Sequence, residues 1–255
     1  MGFPAHVVKD NIAIHNIIIG LVDWMKIIVR DNYKEMSQEA FGLFREALRD
    51  SSVLGFATGN TQKLLYSMVS NECRAGNISF KGKSSFNLDE YYPINRSSAE
   101  SYWSYMEENL FGKIDMDRDR INFPDSMTDE NETVRRYLDA YRRFGPVGTQ
   151  ILGIGHNGHI GFNEPGSSRD SGIRIARLSE DTIRRNNTRM CMAVTMGIKE
   201  IMESGRIILL ASGKEKSEAI KRAVNGGVTE DVPASFLQEH ENTILVLDRE
   251  AASLL

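Results

Sequence analysis

Between Ile151 and Ser171 the chain reads ILGIGHNGHIGFNEPGSSRDS. An apolar run, Ile151-Leu152-Gly153-Ile154, breaks there into a stretch carrying two imidazoles (His156, His159), an amide (Asn157) and a carboxylate (Glu164). Glycines at 153, 155, 158, 161 and 166 let the backbone take positive φ and approach a ligand closely. A buried strand that opens into such a loop is where an α/β protein usually places its chemistry. Imidazole titrates near neutral pH, and a neighbouring carboxylate orients it and favours its protonated form, so acid–base catalysis suits this set. A metal site is not expected. His156 and His159 lie on a glycine-rich loop that enforces no ligand geometry, and no spacing of the structural-zinc kind occurs.

Strands and helices must hold these groups, and their pattern alternates. Met25–Arg30, Ser52–Ala57, Ser84–Leu88, the run ending at Ile154, Arg206–Ala211 and Thr243–Asp248 read as strands. Helical spacing marks 35–49, 63–72, 98–111, 130–143, 179–187 and 214–224, with an irregular segment at 112–129. Strands alternating with helices predict an α/β fold with a mainly parallel sheet covered on both faces, as one domain. Ligands bind outside the carboxyl ends of such strands. One end delivers Thr58-Gly59-Asn60-Thr61 into a helix N-terminus, whose free N–H groups and positive dipole seat phosphate, although the spacing is not that of a Walker loop. Another delivers Asp89 and Glu90, and the Arg206–Ala211 strand delivers Lys214 and Lys216 as candidate cations. Together these ends suit a phosphorylated sugar: an anion seat, a carboxylate base, and an imidazole backed by a second carboxylate.

Composition narrows the partners. The 255 residues carry a formal net charge of −4, which favours neither nucleic acid nor an anionic membrane. Two cysteines, Cys73 and Cys191, fit reduced thiols of a cytoplasmic protein better than a disulfide framework. Residues 1–24 read as an extension ahead of the domain at 25–255. Its apolar run, Ile12–Val22, falls short of the about 20 residues of a spanning helix and lacks the basic start of a secretory signal. Met1-Gly2 is not followed by Ser or Thr at position 6, so the myristoylation pattern fails.

Residues 25–255 resemble the glucosamine/galactosamine-6-phosphate isomerase family, whose deaminases act on glucosamine 6-phosphate. The resemblance rests on Ala57-Thr58-Gly59-Asn60-Thr61, on Phe86-Asn87-Leu88-Asp89-Glu90-Tyr91, on Leu152 to Gly166, and on Gly213-Lys214-Glu215-Lys216, in the family order. It implies a three-layer α/β/α fold with a Rossmann-like sheet. It also implies a cofactor-free conversion of glucosamine 6-phosphate and water to fructose 6-phosphate and ammonium. Asp89 matches the base that moves a proton between C2 and C1, and His159 the group that opens the pyranose ring. Asn157 and Glu164 match the residues that complete the relay of His159. Lys216 and the loop Thr58, Gly59, Asn60, Thr61 match the phosphate contacts, as does Arg189. His156 is read as a bystander. The family includes monomers and hexamers, which leaves a homo-oligomer open.

The chain also departs from the family pattern. Asn157 stands where many relatives have Asp, so an altered pH profile is expected. The segment after Arg189, Met190 to Gly197, is several residues short. Arg169-Asp170-Ser171-Gly172-Ile173-Arg174 differs from the Ser-Arg-Thr-Arg of allosteric relatives, whose C-terminal extension is also missing, so activation by N-acetylglucosamine 6-phosphate is not expected. The alternatives are a galactosamine-6-phosphate deaminase/isomerase and a non-catalytic sugar-phosphate sensor. A 6-phosphogluconolactonase fits less well, because His159-Ile160-Gly161-Phe162-Asn163-Glu164-Pro165 stands in place of that enzyme's Gly-His-Thr and Leu-Phe-Pro.

Overall fold

A computed structural model describes residues 17–22 and 25–255. The remainder of the expected 1–24 extension lies outside the described residues. The elements run β1 (Ile17–Val22), β2 (Met25–Arg30), α1 (Tyr33–Asp50), β3 (Val53–Phe56), α2 (Lys63–Arg74), β4 (Ser84–Asn87), β5 (Asp89–Tyr91), α3 (Tyr102–Asn109), β6 (Ile121–Asn122) and α4 (Glu130–Phe144). They continue as β7 (Thr149–Leu152), β8 (Arg174–Arg177), α5 (Glu180–Arg185), β9 (Met192–Thr195), α6 (Ile198–Met202), β10 (Ile207–Ala211), α7 (Ser217–Asn225) and β11 (Thr243–Asp248).

Among the described residues the strands form a sheet of eight in the order β1-β2-β11-β10-β7-β3-β4-β6 and a second of three, β5-β9-β8. The large sheet is parallel except for β1, which pairs antiparallel with β2 along its edge. Residues 17–22 of the expected extension thus join the sheet. From β3 the chain moves outward to β4 and β6, then returns to β7 on the other side of β3 and continues to β10 and β11. The order therefore reverses between β3 and β7, and a doubly wound sheet opens a crevice at that point, at its carboxyl edge.

Both faces of the sheet are buried, and β10 is accordingly apolar throughout, whereas β4 and β7 also bury Ser85, Asn87, Thr149 and Gln150. In β10, Ile207, Leu209 and Ala211 enter one core while Ile208 and Leu210 enter the other. The first core also takes Tyr137 and Tyr141 of α4, Ile198 and Ile201 of α6, and Ile220 and Val224 of α7. The second takes Met36, Ala40, Phe44 and Leu48 of α1, Leu65 and Val69 of α2, and Met106 of α3. Three layers result, as the sequence implied. Local chemistry sets the helix starts: the side chains of Asn32, Ser101 and Asp129 accept first-turn N–H groups of α1, α3 and α4. The cap at Ser101 starts α3 later than the periodicity from 98 suggested.

The antiparallel sheet of three was not expected. β9 is its central strand, pairing Asp89 with Thr195 on one side and Arg174 with Thr195 on the other. It lies beside the crevice and packs Tyr91, Ile94, Phe162, Leu178 and Ala193 into a small core of their own.

Close strand packing depends on one glycine. A Cβ at Gly55, in the middle of β3, would lie 2.0 Å from Oε1 of buried Gln150 on β7. Gly55→Ala is expected to lower the unfolding free energy by about 1–3 kcal/mol, the usual cost of overpacking. Urea denaturation measures this, and the loss should shrink in a Gln150→Ala background.

Candidate active site

The crevice between β3 and β7 is a cleft of about 490 Å³, walled by the loops that follow β3, β4, β7 and β10 and by α5. The residues it brings together are Thr58, Gly59, Asn60, Thr61, Asp89, Asn157, His159 and Lys216.

Asp89 comes from the step between the two sheets. Leu88 N donates to Phe56 O (3.0 Å), as if β4 continued, but its carbonyl accepts from Met196 N (2.7 Å) and the next residues pair with β9. Asp89 is buried, and its carboxylate receives no side-chain hydrogen bond among the described residues. Burial, and then the charge of Glu90, push its carboxyl up to about 8. Glu90, on the opposite face, is fully buried and accepts the N–H groups of Tyr91 (2.9 Å), Tyr102 (2.8 Å) and Trp103 (2.9 Å). Burial raises it against the pull of those bonds. The two neighbours therefore do different work. Glu90 anchors the start of α3, whereas Asp89 is left with an unpartnered carboxylate facing the cleft.

The loop after β7 is shaped by its glycines. Gly158 and Gly161 have φ of 89° and 55°, and a Cβ at Gly155 would lie 2.2 Å from Cε1 of His159. That absent side chain is the space the imidazole occupies. His159 Nδ1 lies 3.5 Å from Glu164 Oε2, and Asn157 Nδ2 donates to the same oxygen at 2.7 Å. Asn157 Oδ1 accepts the backbone N–H of His159 (3.1 Å), so this amide holds the loop and the carboxylate rather than the imidazole ring. Glu164 stands behind His159, off the cleft wall. Burial acts to raise its carboxyl, but the nearby His159 imidazole, with Thr182 and the Asn157 amide, holds it down to about 2.

The loop after β3 forms the far end. Gly59 takes φ of 140°, and its carbonyl accepts the hydroxyl of Tyr105 (2.6 Å), while Asn60 O accepts that of Tyr33 (3.1 Å). The chain then turns through residues 60–62 into α2, where Lys63 N closes on Asn60 O and Leu64 N donates to the Tyr33 hydroxyl (3.1 Å). Lys216 reaches this end from the loop after β10, its Nζ donating to Ile154 O at 2.9 Å, and burial lowers its pKa. Lys214 does not line the cleft. His156 does, but its Nδ1 pairs with Glu215 O at 3.0 Å, tying two loops together. Arg189 is exposed and outside the lining; the arginine on the wall is Arg185 of α5.

Sequence reading missed the aromatic side. Tyr91, Tyr102 and Phe162 pack together, with Tyr91 and Tyr102 centroids 4.7 Å apart, and all three line the cleft. It also missed Gln62, buried beneath both glycine loops, where Cβ atoms at Gly59 or Gly153 would lie within 2.9 Å of its side-chain amide.

A buried carboxylate, an imidazole–carboxylate pair, a glycine-bearing loop and a lysine thus surround one crevice of a doubly wound α/β fold. Residues 32–246 match the family described as glucosamine-6-phosphate isomerases/6-phosphogluconolactonase, and the chain belongs to that family. A glucosamine-6-phosphate deaminase of Clostridium botulinum (strain Kyoto / Type A2) is 42% identical over 241 residues, covering 91% of this chain and 99% of its own. Glucosamine-6-phosphate deaminase 2 of Bacillus subtilis (strain 168) is 41% identical over 243 residues, 91% of this chain and 98% of its own. The solved structure of a monomeric glucosamine-6-phosphate deaminase superposes with a TM-score of 0.87 at 36% identity, covering 90% of this chain and 99% of that one. The 6-phosphogluconolactonase of Trypanosoma brucei, at 21% identity and a TM-score of 0.74, shares the fold.

A base must be ionised to act, and Asp89 is raised, so kcat/KM should fall as pH drops through about 8. Glu90→Gln removes one of the two causes of that rise, so it should move the acid limb toward lower pH. A pH–rate profile of both proteins measures it. Gly155→Ala, which would drive a Cβ into the imidazole, should reduce kcat more than it reduces stability in urea.

Proposed function

We propose that this chain is a glucosamine-6-phosphate deaminase, with the roles set by position in the cleft. The carrying observation is that Asp89 and His159, with Glu164 behind the imidazole, share one crevice with the Thr58–Thr61 loop and Lys216.

His159, backed by Glu164, delivers a proton to the ring oxygen as the C1–O5 bond breaks, the C1 hydroxyl gives its proton to solvent, and the pyranose opens to an aldehyde at C1 with an amine at C2. Asp89 removes the proton from C2, which the adjacent carbonyl acidifies, and an enolamine forms. Reprotonation at C1 gives the 2-imino ketose phosphate. Water adds to its C=N bond, and ammonium leaves with fructose 6-phosphate as the product. No step needs a redox partner, which agrees with the cofactor-free reading. The phosphate lies against the Thr58–Thr61 loop and the α2 N-terminus, with Lys216 as counter-charge. This places the reacting carbons toward Asp89 at the other end of the cleft. The raised pKa of Asp89 matches a base that must accept a carbon-bound proton and return it.

The relative that superposes at 36% identity is a monomeric glucosamine-6-phosphate deaminase, which supports a protomer that is active by itself, whether or not it assembles further. No helix among the described residues is long and apolar enough to cross a membrane.

Purified protein should release ammonia from glucosamine 6-phosphate, and more slowly from galactosamine 6-phosphate. Asp89→Asn and His159→Gln should each lower kcat by about 10²–10⁴-fold, as for other positioned acids and bases. Near-wild-type turnover by either folded variant would overturn its role. A wild-type protein that binds sugar phosphate without releasing ammonia would instead mark a sensor.

A further inference from the structure

The helix α5 is fixed at both ends to groups of the site. Just before it, Ser179 N donates to Glu164 Oε1 (3.3 Å). Just after it, Asn186 Nδ2 donates to the Tyr91 hydroxyl (3.1 Å). Held this way, α5 turns Thr182 and Arg185, three residues apart on one face, toward the cleft. Thr182 meets Glu164 there. Arg185 has no corresponding partner in the relay.

Its guanidinium is half-restrained. Nε donates to Asp181 Oδ2 at 2.8 Å, one turn back on the helix, and among the described residues the Nη groups donate to nothing. Asp181 also binds Arg184; both arginines are exposed, at 76% and 46% of the side chain, but of the two only Arg185 lines the cleft. The Arg185 charge is felt by Lys216 and His156, both of which it pushes toward the neutral form. So one guanidinium edge is tethered by a carboxylate, on a side chain that lines the same cleft as Lys216. Glu215 and Asp181 are the carboxylates at this end. Asp181 is engaged by its two arginines, while Glu215 contributes its backbone carbonyl to His156.

Arg189 is placed differently. Asn187 takes φ of 49°, its N–H closes on Arg184 O, and Thr188 N closes on Ile183 O, which ends α5 in a tight turn. The Cys191 carbonyl is then already paired with Leu178 N at the start of the small sheet. With so few residues between the turn and β9, Arg189 is held on the outer surface.

We infer that Arg185 is the arginine that binds the substrate phosphate in this chain, opposite Lys216 and the Thr58–Thr61 loop, in the part that the family pattern would give to Arg189. This rests on the amino-sugar-phosphate reading above. Arginine suits the task because its planar fork binds a phosphate through two N–H groups, and the Asp181 tether leaves such an edge free. The shortened segment after Arg189 and the exposed side of α5 then have one explanation: the cation has moved from the connection onto the helix.

Steady-state ammonia release from glucosamine 6-phosphate by wild type, R185A, R185K and R189A tests this. R185A should raise KM about tenfold or more, as loss of hydrogen bonds to a charged group does, with kcat changed far less. R185K should recover part of the loss, and the KM rise in R189A should be several-fold smaller than in R185A. An R189A effect equal to or larger than that of R185A would overturn the inference. So would a fall in kcat at unchanged KM in R185A, which is the signature of a merely structural arginine. R185Q keeps bulk on the helix if R185A loses its fold, and a wild-type KM in R185Q would also overturn it. If the wild-type protein releases no ammonia, the deaminase reading falls, and the arginine is judged by calorimetry. Tenfold weaker binding of glucosamine 6-phosphate by R185A supports it, and equal binding overturns it.

Discussion

Leu88 belongs to two sheets. Its amide completes the parallel ladder begun by β4, and its carbonyl completes the antiparallel ladder of β9. A chain that changes ladders within one residue must bring the next side chain out at the seam between them. That residue is Asp89. Most of the site's geometry depends on this crossing. It puts a carboxylate at the sheet's reversal point, brings Thr195 and Gly161 against its far side, and sends Glu90 the opposite way into the start of α3. Moved one residue along, the crossing would exchange the two carboxylates.

The pair shows how burial can be used in two ways. Glu90 has three backbone donors, which compensate much of the cost of hiding a carboxylate. Through α3 its influence reaches Tyr105, which holds the Gly59 carbonyl, so a helix cap and an anion loop share one support. Asp89 receives no such compensation and keeps a proton more readily than a surface aspartate would. Asp89 is not alone in this: Asn87, Gln62 Nε2 and His159 Nδ1 are also buried without a hydrogen-bond partner among the described residues, a concentration of unpaired polar groups expected where chemistry is done.

Much of this was legible in the amino-acid order, for physical reasons that can be named. Strands buried on both faces must be apolar throughout, so Met25–Arg30, the Arg206–Ala211 run and Thr243–Asp248 stand out. The loop after β7 stands out because close backbone approach needs glycine. The small sheet did not. Its strands are three or four residues long, too short for a period of two to emerge, and Asp89-Glu90-Tyr91 and Arg174-Ile175-Ala176-Arg177 carry charges for reasons of function and surface. The choice between Arg185 and Arg189 was equally hidden. Which arginine faces the cleft depends on hydrogen bonds from Ser179 and Asn186 to residues far away in sequence. Order along the chain names the family of contacts, and tertiary bonds choose among neighbours.

The same two bonds carry a mechanical meaning for the cleft. Because α5 is bonded to Glu164 at one end and to Tyr91 at the other, moving it outward would break both bonds. Such a movement would strip a donor from the carboxylate behind His159 and loosen the aromatic wall beside Asp89. The width of the cleft and the surroundings of His159 are therefore mechanically coupled.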